Sequence, residues 1–182
     1  MFATLETSFA EYDNNVANSE AKIIRARIGY RQGDYVAARR FARQAFDLIK
    51  DETLPSYMLE VETLKIDLAL ASSDKLSTNS CDKFEQVIGV LEHQESVLRA
   101  RGRLVHCRAR SGGVGRNSAS SQLKEIVNQA RNLGLFEPML DAQIQQATLL
   151  RHLGRDREAR AARQSALKLA ATNGWDISWV KE

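Results

Sequence analysis

The chain has 182 residues, 43% of them hydrophobic and 27% charged, with a formal net charge of +3. That length buries roughly 70% of the unfolded surface in a globular domain, and somewhat less in an elongated array. Acidic residues at Glu6, Glu11, Asp13 and Glu20 leave no apolar segment near the start, so no signal peptide or membrane span is expected and the chain reads as soluble and cytoplasmic.

Phe2, Leu5, Phe9 and Tyr12 fall at helical spacing and predict a leading helix that caps the first hairpin or continues an upstream repeat. The first hairpin, over about 19–51, carries a template: Ala26-x-x-x-Tyr30-x-x-Gly33-Asp34-x-x-x-Ala38-x-x-x-x-x-x-Ala45. The same spacing returns as Ala147-x-x-x-Arg151-x-x-Gly154-Arg155-x-x-x-Ala159-x-x-x-x-x-x-Ala166. The glycine supplies the left-handed geometry that ends one helix, and the next starts at Asp34 or Arg155. Alanines seven residues apart then form a stripe that lets two helices approach to the short end of the roughly 8–10 Å interaxial range.

The second hairpin, over about 55–93, joins the stripe Leu59, Thr63, Ile66, Leu70 to a helix bearing Phe84, Val87, Ile88 and Leu91, with Asn79 or Ser80 as its N-cap. The third, over about 95–133, joins Leu98, Gly102, Val105, Ala109 to Leu123, Ile126, Val127, Ala130, after Ser118-Ala-Ser-Ser and before the cap Gly134. The fourth covers about 137–172, and a cap follows over 174–182. Counting from Ala26 through Thr63 and Gly102 to Ala147 gives steps of 37, 39 and 45 residues. Pro55 and Pro138, the only prolines, sit beside first helical turns, and no period-two run predicts a strand. The expectation is one all-α domain over 1–182.

Gly33-Asp34-Tyr35 with Ala26, Ala38 and Ala45 resembles the turn and small positions of tetratricopeptide (TPR) repeats, although Lys22 and Arg25 stand at the family's large first-helix positions and Lys50 at its closing proline. The resemblance implies a TPR-like α-solenoid of about four hairpins in a right-handed superhelix, a protein-interaction scaffold that is not an enzyme. It also implies that residues beside the core stripe of each first helix line a concave groove for a peptide: Arg27, Tyr30, Arg99, Arg103, His106, Thr148, Arg151 and His152. The stretch from Leu133-Gly134-Leu135 to Asn173-Gly174-Trp175 is similar to the last repeat of helical regions attached to bacterial signalling ATPases, kinases and transcription regulators. That similarity implies a regulatory module.

Charge is unevenly distributed. Residues 44–95 hold eleven acidic residues against four lysines, a net of −7, whereas 96–168 hold fourteen basic against five acidic, a net of +9. Such a field steers partners without dictating fold. Arg99, Arg103, His106 and Arg110 repeat one residue out of step with the apolar stripe and form a basic ridge. Arginine's planar fork suits carboxylates, so an acidic peptide is the expected partner. The competing reading is a solvated helix face whose arginines pair with the acidic segment. A nucleic-acid adaptor using the Arg99–Arg116 ridge is the alternative from another class, but no aromatic interleaves the ridge and no nucleic-acid-binding signature occurs.

Ser111-Gly-Gly-Val-Gly-Arg-Asn-Ser118 lacks the first glycine, the lysine and the Ser/Thr of a phosphate-binding loop and follows a helix, so it reads as a flexible connector. His93, His106 and His152 show no metal-ligand spacing, and neither a metal nor a cofactor is expected. Cys81 and Cys107 read as two unbonded, buried packing residues, consistent with a reducing compartment. Trp175 and Trp179 either fold back as the terminal cap or make a homodimer contact.

Overall fold

A computed structural model of the chain describes residues 15–50, 55–71, 77–91 and 93–175. The regular structure among them is entirely helical: α1 Asn15–Gln32, α2 Tyr35–Ile49, α3 Pro55–Ala71, α4 Thr78–Gly89, α5 Gln94–Ser111, α6 Arg116–Asn132, α7 Phe136–His152 and α8 Asp156–Thr172. The leading helix expected over 2–12 and the residue Trp179 lie outside the described residues. No described helix is long and apolar enough to cross a membrane.

The chain divides into two compact units, Met1–Asp74 and Lys75–Glu182. The division falls between α3 and α4, which the sequence pattern assigns to a single hairpin. In the first unit α1, α2 and α3 pack against one another. In the second, α4 packs on α5, α5 on α6 and α7, α6 on α7, and α7 on α8.

The hairpin turns follow from the template. Gly33 and Gly154 have φ of 79° and 70°, a region that side chains with a β-carbon rarely enter. This lets Asp34 N–H donate to the Gly29 carbonyl at 2.9 Å and Arg155 N–H to the Leu150 carbonyl at 3.0 Å, which satisfies carbonyls left open at the helix end. Gly134 and Gly174 repeat the arrangement, with Leu135 N–H on Ala130 and Trp175 N–H on Ala170. The next helix starts differently in the two copies. The Asp34 carboxylate accepts from Ala37 N–H at 3.0 Å, whereas Arg155 has no such acceptor and instead clamps Glu158 with two bonds of 2.7 and 2.6 Å.

All six template alanines are buried. In the first unit Ala26, Ala38, Ala42, Leu64 and Leu68 form one cluster and Ile23, Ala45, Ile49 and Val61 another. A β-carbon on Gly29 would come within 3.2 Å of the Asp34 carbonyl oxygen and 3.3 Å of the Ala38 nitrogen, so α1 and α2 approach closely there and a side chain would require the backbone to give by a few tenths of an ångström. The core of the second unit is built from Leu98, Val105, Leu123, Ile126, Val127, Ala142 and Leu149.

Several local expectations are corrected. In α3 the fully buried positions are Val61, Leu64, Ile66, Leu68 and Leu70, while Leu59 and Thr63 are only half-buried. Apolar residues two apart lie on nearly opposite sides of a helix, so α3 buries more than one stripe. The N-cap of α4 is Ser77, whose hydroxyl accepts from Ser80 N–H at 3.1 Å. α6 begins at Arg116, so Ser118 lies inside it and the connector between α5 and α6 shrinks to residues 112–115. Cys81 and Cys107 are not separate thiols: they form a disulfide between α4 and α5, with Cα atoms 5.9 Å apart. The support that unbonded cysteines lent to a reducing compartment falls away with them.

A candidate interaction face on α5 and α7

The second unit places the basic ridge of α5 directly against α7. Arg99 donates from Nη1 to Glu137 at 2.9 Å and from Nε to Asp141 at 3.1 Å. Arg103 donates to the same Asp141 oxygen at 2.9 Å. One turn further on, His106 Nδ1 meets Gln145 Oε1 at 2.8 Å, and its Nε2 lies 3.4 Å from His152 Nδ1. The partners ascend both helices together, so α5 and α7 run in the same direction. Sequence separations of 38, 38 and 39 residues across the rungs Arg99–Glu137, Arg103–Asp141 and His106–Gln145 mark a constant offset.

The rungs differ in exposure. Arg99 and Glu137 are 42% and 37% exposed, whereas Arg103 is 13% exposed and His106 is fully buried. Burial pushes the Asp141 carboxyl up, but the charges of Arg103 and Arg99 and their hydrogen bonds outweigh it and hold the group below its ordinary value. Burial lowers His106 to about 4; the Gln145 hydrogen bond opposes this, and the neighbouring His152 and Arg110 reinforce it. A carboxamide oxygen only accepts, so Nδ1 of the neutral ring carries the proton and Nε2 offers a lone pair towards His152. His152 is lowered by burial first and then by Arg110 and Arg151.

The eight groove positions implied by the TPR resemblance are divided between the two units. Arg27 and Tyr30 belong to α1 in the first unit, where Arg27 pairs with Glu60 at 3.2 Å and Tyr30 packs on the Tyr35 ring at a centroid distance of 5.9 Å. The other six sit on α5 and α7. His106 is enclosed, and Thr148 donates its hydroxyl to the Ile144 carbonyl of its own helix at 3.0 Å. Arg151 and His152 are exposed at the end of α7, and Arg110 on α5 is half-buried with no ion pair among the described residues. The pairing of Arg99 and Arg103 with Glu137 and Asp141 differs from the expected pairing with the acidic segment, into which Arg108 reaches, to Glu85. Glu137, Asp141 and Gln145 were missed, although their four-residue spacing matches that of the ridge.

Trp175 is 47% exposed and meets the Phe136 ring edge-on at 5.4 Å, beside the cluster of Leu140, Ala166 and Ala170. Among the described residues no group of three or more His, Cys, Asp or Glu could hold a metal ion. A separate groove of about 550 Å³ lies between α2 and α3, floored by Ala42, Phe46 and Leu68. No family model, no curated protein and no solved structure matches this chain.

Proposed function

We propose that this chain is a protein-recognition module built from TPR-like stacked hairpins, with an acidic segment of a partner bound along the outer edge of the α5/α7 seam. The observation that carries the reading is the in-register polar ladder between two helices of the same direction, offset by 38 to 39 residues. Successive first helices of stacked hairpins meet in this way, and such stacking presents an extended surface suited to another polypeptide.

The ladder also indicates where on that surface a carboxylate would bind. Glu137 and Asp141 already neutralise Arg99 and Arg103, so the cationic end is the other one, where Arg110 lies beside His152. Two carboxylates against the Arg99–Arg103 end of the ridge oppose a continuous phosphate backbone, which favours an acidic peptide over nucleic acid. Fluorescence anisotropy with a pool of labelled Glu/Asp-rich peptides tests this. Replacing Arg110 and His152 together by alanine should weaken binding about tenfold. Equal binding by the variant, or none by the wild type, contradicts the reading.

A further inference from the structure

α4 is a helix of 12 residues, a length that is marginal on its own in water. Within its unit it packs against α5 and against no other described helix, whereas α5, α6 and α7 each meet at least two neighbours. Its buried face is Cys81, Phe84 and Ile88, at helical spacing i, i+3, i+7. Across that face Cys81 is bonded to Cys107 of α5, and the Ser111 hydroxyl oxygen lies 3.6 Å from the Cys81 sulfur. Among the described residues the seam also carries the ion pair Arg108–Glu85, an exposed type that contributes little.

We infer that Cys81–Cys107 is a redox modification site that fastens α4 to α5, and that reduction by a dithiol releases the helix. In the reaction the S–S bond breaks, two S–H bonds form at Cys81 and Cys107, and the dithiol supplies two electrons and two protons as it closes to its own disulfide. Exchange proceeds when α4 opens locally, because both sulfurs are covered in the closed form. Once cut, the pair no longer closes the loop between residues separated by 26 positions, and the short helix loses the link that its one-sided packing does not replace. Release uncovers Phe84 and Ile88 on α4 and the flank of α5 around Cys107, so the oxidised and reduced chains present different apolar surfaces.

The test uses the full chain under native conditions, with dithiothreitol as the dithiol and alkylation followed by mass spectrometry as the thiol count. The chain purified in air should show no alkylatable thiol, then two after reduction. Reduction should lower Tm by about 5–10 °C. It should also open a tryptic cut after Lys83, which is exposed on α4 but protected while the helix is docked. Replacing Cys81 and Cys107 together by serine should reproduce the cut without reductant and abolish any further response to it. Two free thiols before reduction, a disulfide that resists native reduction, or a reduced chain in which Lys83 stays protected would each overturn the inference. None of these readouts depends on peptide binding, so this result is separable from the fate of the recognition reading.

Discussion

In the first unit α1 and α2 meet α3 through Ala26, Ala38, Ala42, Leu64 and Leu68, and the ion pair that spans α1 and α3, Arg27–Glu60, lies in solvent with side chains 49% and 44% exposed. In the second unit the corresponding step from α5 to α7 carries Arg103, Asp141, His106 and Gln145 in its interior, with Leu98, Val105, Ala142 and Leu149 as the apolar part. The apolar seam needs shape alone. The polar seam needs shape and register, because sliding α7 by one turn would part Arg103 from Asp141 and His106 from Gln145. Buried polar rungs therefore make the second unit more dependent on individual residues and on pH than the first.

The sharpest way to break this comparison is to remove one acid from each seam. Asp141→Ala leaves Arg103 charged and nearly enclosed, and should cost about 3–5 kcal/mol in urea unfolding, whereas Glu60→Ala should cost less than about 1 kcal/mol. Equal losses would mean that the ladder is incidental.

Acidification comes next. His106 binds its proton near pH 4 when folded and near 6.5 when unfolded, so the unfolded chain holds more protons between those values. Stability is full above pH 6.5 and falls as pH drops towards 4, by up to roughly 3 kcal/mol from this one group. Asp141 has the same sign but acts lower, below its ordinary carboxylate value, as its depressed folded group is protonated. Urea midpoints at pH 7.5 and 4.5 measure the effect of His106. His106→Leu should flatten the difference, and a wild-type chain without that slope would show that the histidine is not held neutral.

Smaller effects should be alike in the two units, because they belong to the template they share. Gly33→Ala and Gly154→Ala each force a β-carbon into left-handed backbone and should cost about 1–2 kcal/mol. Last, Asp34→Ala should cost about 1 kcal/mol through the lost helix cap. Arg155→Ala at the equivalent position should leave the unfolding midpoint unchanged, since its pair with Glu158 is an exposed i, i+3 pair of a type that contributes little.

The template was legible because it is local. A glycine at a fixed distance from a buried alanine specifies a helix end and a packed stripe within one hairpin, and Gly33, Gly154 and all six alanines stand where that logic puts them. What was not legible joins distant positions. Nothing about Cys81 indicates that α5 will present Cys107 to it, and Arg99 carries no sign that its partners are Glu137 and Asp141, 38 and 42 residues on, instead of the acidic segment before it. Ser77 was passed over as a cap because the serines and asparagine that follow it offer competing starts for α4. The division at residues 74 and 75 has no glycine or proline to mark it. In the candidate face, the ridge on α5 could be read from its own period, but its neutralisation could not, because that is a property of the seam.

The most direct test of the recognition surface is a backbone amide NMR titration of the intact chain with the acidic peptide pool. Shifts concentrated at Arg110, Thr148, Arg151 and His152, and lost when Arg110 and His152 are replaced by alanine, are the predicted result. No perturbation up to about 1 mM peptide, or shifts confined to residues away from α5 and α7, would contradict it.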